Sequence, residues 1–225
     1  MYTTTNIVLF LAIIAIPALA QAGISFAYNK YKKVSNTPKL SGFEVARKIL
    51  DANGMSDMDI VTTGGELSDH YDPSRKVVRL SYEIFNGTSI ASMAVAAHEC
   101  GHAIQDHENY FMLKLRSLIV PVVKLGTAFS YIVILIGCLF ELLNLVYIGI
   151  ALTGLGLLFQ LITLPVEIDA SRRAGVQLKA LGIADSKDSS GTKKVLTAAA
   201  MTYVAGVLSS ALQVLRLIMM FQRRD

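Results

Sequence analysis

Cysteine is scarce: only Cys100 and Cys138 occur in 225 residues, one in a short-sided helix pattern and one in an apolar run. That excludes a disulfide framework and is compatible with a reduced, cytosolic face for the polar part of the chain. Charge is also scarce. Charged residues make up 17% and hydrophobic ones 53%, which excludes an ordinary soluble domain. No Lys or Arg precedes Lys30, so the apolar stretch Ile7 to Ala27 lacks the basic start of a secretory signal. The net charge of +4 comes from cations beside apolar runs, which suits membrane flanks and argues against nucleic acid as a partner. Internal repeats and low-complexity segments are absent. The spans carry too few polar residues for a channel, and no pair of broken helices suggests a transporter.

What is present reads as an integral membrane protein. Ile7 to Ala27 is long enough to cross a hydrocarbon layer of about 30 Å, and Pro17 is tolerable there. Lys30, Lys32 and Lys33 follow at once, which by the positive-inside rule predicts an outside N-terminus and a cytoplasmic continuation. Ser35 to Pro38 is a linker. Ser41 with Glu44 forms a capping box that opens a helix closed by Gly54, with Phe43, Ala46, Ile49 and Leu50 as its apolar stripe. Ile60 to Thr63 and Val77 to Ser81 are predicted as a short strand pair, with Asp72, Pro73 and Ser74 as the turn between them. Leu118 to Phe140 and Leu142 to Leu164 are two spans joined so tightly, near Glu141 and Asn144, that they form a hairpin returning to its starting side. Pro165 punctuates the return, and Val166 to Leu181 is predicted as a separate helix ending at Gly182. Ala184 to Thr192 reads as a loop. Val195 to Phe221 is an apolar helix whose flanking charges, lysines before and arginines after, do not decide whether it crosses.

Between Ala91 and Asp106 lies a small, apolar helix without Pro that holds two of the four histidines. His98 and His102 are four apart and so share one helical face. Two imidazoles at this spacing can hold a zinc ion, with Glu99 placed to act as general base on a water. A catalytic zinc needs a third protein ligand on the same side of the membrane. The hairpin returns the chain to that side at Pro165, and the first carboxylate there is Glu167. Asp169 competes, but two residues on it points about 200° round the helix, so only one of the two faces the metal. A plain helix-capping role for Glu167 is the alternative. His70 is a candidate donor to a developing oxyanion, or a turn histidine bonded to Asp72. Val77 to Ser81 is a candidate edge strand for an extended substrate. His107, about 140° round from His102, reads as the helix end, and Cys100 as a packing residue. Arg172 and Arg173 suit juxtamembrane lipid contact.

The stretches Leu67 to Pro73, Val77 to Ser81, Ala96 to Gln105 and Leu164 to Arg173 together resemble the YugP-type membrane zinc metallopeptidases over nearly the whole chain. The resemblance implies a metal-dependent endopeptidase of a bacterial cytoplasmic membrane. In related glutamate-zincins an Asp four residues after the ligand Glu orients a ligand His. Ser171 stands at that position here, and Asp106 is a substitute for the orienting role.

The expected fold is therefore a mainly α membrane protein with a zincin-like (gluzincin-type) catalytic core, a small β-strand pair and three to four transmembrane helices. The expected organisation is an anchor (1–30), a cytoplasmic α+β region ending in the H-E-x-x-H helix (31–112), a transmembrane hairpin (113–165) and a third-ligand helix with the C-terminal apolar helix (166–225). Expected site residues are His98, His102 and Glu167 for one Zn2+ per chain, and Glu99 and His70 for catalysis. The partners implied are a protein or peptide substrate, the lipid bilayer, and a membrane regulator or second copy. A non-catalytic membrane scaffold on a protease fold is the competing reading, although a scaffold has no need of Glu99. The site is expected on the cytoplasmic side.

Overall fold

The computed structural model describes residues 2–65 and 68–221, so Leu67 of the motif quoted above lies outside the described residues. It divides into two units, 1–21 with 114–165 and 202–225, and 22–113 with 166–201.

In the second unit, Tyr2–Lys32 (α1) ends and the linker turns back into the fold. Asn36 is buried there: its side-chain amide donates to Leu40 O and its Oδ1 accepts from Leu40 N. Gly42–Ala52 (α2) begins at the expected capping box, with Ser41 Oγ accepting from Glu44 N and Glu44 Oε2 accepting from Ser41 N. Gly54 then takes φ +74°, a left-handed turn that glycine enters without steric cost. Val45, Ala46, Ile49 and Leu50 are the buried face of α2, while Phe43 sits at its edge against Phe85 with ring centroids 4.9 Å apart.

The sheet has three strands, Asp59–Thr63 (β1), His70–Asp72 (β2) and Val77–Ser81 (β3), in the order β1-β3-β2. β1 runs parallel to β3 and β2 antiparallel to it. The expected pair thus gains a third strand, and β3 is the central strand, with both its backbone edges paired. It cannot take up a substrate as an edge. Asp72 Oδ1 accepts from Ser74 N, Ser74 Oγ and Arg75 N, an Asx turn that sets the β2–β3 reversal. Asp69 accepts from Ser81 N at 2.6 Å, and burial pushes its carboxyl above the usual range against those hydrogen bonds. Tyr82–Asn86 (α3) is a one-turn helix that the sequence pattern did not reveal.

Ile90–His107 (α4) crosses the middle of this unit, with Ser89 Oγ accepting from Ser92 N as its cap. Its Met93, Ala97 and Cys100 pack with Ile49 and Leu50 of α2, Val78 and Leu80 of β3, and Ala174 and Leu178 further on. Burying each such Leu or Ile contributes about 1.5–3 kcal/mol.

The other unit holds Phe111–Leu139 (α5) and the first part of Leu143–Ala180 (α6), with parts of α1 and of Ser186–Phe221 (α7). Four helices of the chain are long and apolar enough to cross a membrane. Large apolar side chains such as Leu118, Leu125 and Leu139 are more than 60% exposed, as lipid-facing residues are. Glu141, at φ +57°, and Leu142 N, which donates to Gly137 O, close the tight hairpin. A Cβ on Gly137 would press on Val146 N, and one on Gly149 on Ser130 O, so these glycines let the two backbones approach. Some polar side chains in this unit are partnered across helices: Ser209 donates to Ile13 O, Gln213 to Tyr131 Oη, and the Arg216 guanidinium lies over Phe10.

Two expectations need correction here. α6 runs unbroken through Pro165, where a separate helix was expected. Pro removes one backbone hydrogen bond, but 38 residues of helix hold the segment across that gap. α7 starts at Ser186, inside the expected loop, because Asp185 Oδ1 accepts from Asp188 N and caps it.

Candidate metal centre

α4 and the part of α6 after Pro165 meet at Gly101. Any Cβ at that position would collide with the backbone of Ala170, so the glycine between the two histidines is what allows the close crossing. Buried Val166, Ala170 and Ala174 mark the face of α6 turned inward, and Glu167 and Ser171 lie on the same side, four residues apart.

At the crossing, His98 Nε2 lies 3.2 Å and His102 Nε2 3.5 Å from the same atom, Glu167 Oε2. The three ligand atoms all fall within 4.8 Å of one another, and Glu167 is only 2% exposed. Two imidazole nitrogens and one carboxylate oxygen are the donor set of a three-ligand catalytic zinc. Tetrahedral bonds of about 2.0–2.1 Å would put donors roughly 3.3 Å apart. The observed separations of 3.2 and 3.5 Å match that spacing. The donor set and these two separations fit a metal ion such as zinc.

The tautomer of His102 is set from behind. Gln105 is fully buried, and its amide nitrogen donates to Val166 O and Asp169 Oδ2. Both partners are acceptors, which fixes the amide orientation and leaves Gln105 Oε1 to accept from His102 Nδ1 at 3.0 Å. With Nδ1 donating to Gln105, Nε2 can offer its lone pair to a metal, and it donates to Glu167 only in the imidazolium form. Ser171 Oγ lies 3.2 Å from Nδ1 of His98, where its hydroxyl can accept from or donate to that nitrogen. Burial disfavours the charged form of His102, but the hydrogen bond to Glu167 and the charges of Glu167 and Glu99 prevail and raise its pKa. The pocket thus favours positive charge, as a cation site must.

Glu99 is 8% exposed, and its carboxylate has no hydrogen-bond or ion-pair partner among the described residues. The carboxylate is nearly buried and follows directly on His98 in the chain. Asp169 is engaged elsewhere, accepting from Arg172, Arg173 and Gln105. Asp106 accepts from Tyr71 Oη at 2.8 Å, which ties α4 to β2; it does not orient His102, and that substitute role falls. Burial first, then this bond, pushes the Tyr71 phenol well above its ordinary range. His70 is exposed at the start of β2 with Nδ1 2.7 Å from Ser68 O, and no contact joins it to the His98–His102–Glu167 cluster among the described residues. Cys100 is fully buried, which pushes its thiol pKa up and keeps it unreactive. Gln105 was missed in the sequence. Its signal was its position three residues past His102, on the same helical face.

Four membrane-length helices and a two-histidine, one-carboxylate cluster that could hold a metal mark a membrane protein with a candidate metal centre. The chain belongs to the family described as "Putative neutral zinc metallopeptidase", which matches residues 6–222. It is 43% identical over 215 residues to the "Putative membrane protease YugP" of Bacillus subtilis (strain 168), covering 96% of each chain. No solved structure matches it. Family and relative together support a protease role in a membrane, with a metal as cofactor.

Proposed function

We propose that the chain is a zinc-dependent endopeptidase of the glutamate-zincin type that cuts membrane or membrane-proximal proteins. In this reading His98, His102 and Glu167 hold one zinc, and the site faces the cytoplasm from a bacterial cytoplasmic membrane, as the lysines at 30, 32 and 33 argue. The observation that carries the proposal is the convergence of both imidazole Nε2 atoms on Glu167, with Glu99 unpartnered beside them.

When bound, zinc lowers the pKa of water to about 7 and polarises a scissile carbonyl. Glu99 takes the proton of the attacking water and hands it to the leaving amine. Gln105 holds His102 in the tautomer that directs its lone pair inward, and Ser171 hydrogen-bonds Nδ1 of His98 and fixes its ring orientation. His70 is the candidate donor to the developing oxyanion. Its Nδ1 must donate to Ser68 O, so Nε2 can donate only from the imidazolium form.

Glu99→Gln keeps the shape of the residue but cannot take a proton. The variant should retain about one zinc per chain and lose about two to four orders of magnitude in the rate of casein cleavage in detergent. Glu167→Gln should lose the metal as well as the cleavage. Parent-like cleavage by Glu99→Gln would assign the activity elsewhere and leave the scaffold reading standing.

A further inference from the structure

The end of α6 and the start of α7 enclose a groove of about 430 Å³ whose wall includes Ile168, Ser171, Arg172, Lys179, Lys193 and Leu196. Its floor is apolar, with Leu178 and Leu196 buried. Its rim is cationic, and no carboxylate lines it among the described residues. Arg172 is paired with Asp169 at 2.6 Å. Lys179 and Lys193 are exposed and have no ion-pair partner among the described residues.

We propose that this groove binds an extended segment of the protein substrate in which acidic and apolar residues alternate. The inference rests on the endopeptidase reading above. From Ile168 to Lys179 the helix rises about 16 Å, enough for about five extended residues at roughly 3.3 Å each. Alternate side chains of such a segment point down onto the apolar floor and up towards the lysines. Ile168 and Ala200, at one end of the groove, lie next in sequence to the membrane-unit stretches that end at 165 and begin at 202. A chain leaving the bilayer is therefore the natural occupant. An anionic phospholipid shares the charge complementarity. Its headgroup, however, would cover only part of a row of cations spread from Arg172 to Lys179. The groove also adjoins the site: Ser171 in its wall is the residue that hydrogen-bonds His98 Nδ1.

The test uses the full chain carrying Glu99→Gln, so that peptide is bound and not consumed. A fluorescein-labelled peptide of alternating Leu and Glu should bind, by anisotropy, with an affinity that falls as salt rises. Lys179→Glu combined with Lys193→Glu should weaken it about tenfold. The same variant should gain affinity for the peptide with Lys in place of Glu. Both positions are exposed, so the fold should survive the exchange. In an otherwise parental chain the double exchange should raise KM for an acidic substrate with kcat unchanged, as expected when only uniform binding is lost. Equal binding of both peptides by parent and variant would overturn the proposal. So would displacement of the acidic peptide by phosphatidylglycerol nanodiscs and not by phosphatidylcholine ones, which would make the groove a lipid site. The anisotropy readout needs neither zinc nor cleavage. Charge-swapped binding without any cleavage by the parent would therefore refute the endopeptidase reading and leave a peptide site.

Discussion

His102 is held at both ringed nitrogens, by Glu167 on the metal side and by Gln105 behind. Gln105 is the more consequential of the two orienting residues, because its amide also satisfies the buried carbonyl of Val166. Replacing it by Leu removes the acceptor for Nδ1 and the side-chain bond to the Val166 carbonyl in one step. Zinc affinity, measured by competition with a chromophoric chelator, should fall about 10–100-fold. Unchanged affinity would mean that the tautomer of His102 is set by something else. Ser171, at the position where the family resemblance would place an aspartate, hydrogen-bonds His98 with a neutral hydroxyl. A neutral partner leaves the imidazole less basic than a carboxylate would, since it does not stabilise charge on the ring.

At the scale of elements, the site is a crossing of two helices, and Gly101 sets how close they come. Gly101→Val should force α4 away from the Ala170 backbone, costing about 1–3 kcal/mol. It should also separate His98 from Glu167, so the thermal midpoint and the bound zinc should drop together. Gly175→Ala is the control, because a Cβ there meets nothing within 4 Å. That control should hold its midpoint and its zinc. The same distinction explains what was legible in the chain. His98, Glu99 and His102 could be read because their relation is local, one helical turn. Glu167 could be read because a tight hairpin is expected to return the chain to the side it left. Gln105 and Ser171 could not be assigned because their bonds depend on how helices some sixty to seventy residues apart cross. The central place of β3 was hidden for a similar reason, since strand order is decided by pairing across loops. Pro165 read as a stop because the proline rule weighs one lost bond and not the length of helix around it.

For the whole molecule, the cation distribution predicts which face carries the site. In a chain with Cys138 replaced, cysteines introduced at residues 2 and 143 should react with an impermeant maleimide added to intact cells. One introduced at residue 56 should react only after permeabilisation. Native Cys100, fully buried, should stay silent throughout and serve as an internal blank. Labelling at residue 56 in intact cells would move the site to the outer face.

The order of the ligands along the chain has a consequence for biogenesis. His98 and Glu167 are 69 residues apart, and between them lie all of α5 and the membrane portion of α6. A ribosome adding about 5–20 residues per second takes several seconds to go from the first ligand to the last. Throughout that interval the nascent protein carries two histidines and a base but no third ligand. On the proposed ligand set, a three-ligand zinc site is complete only after the hairpin has been made and Glu167 has followed it.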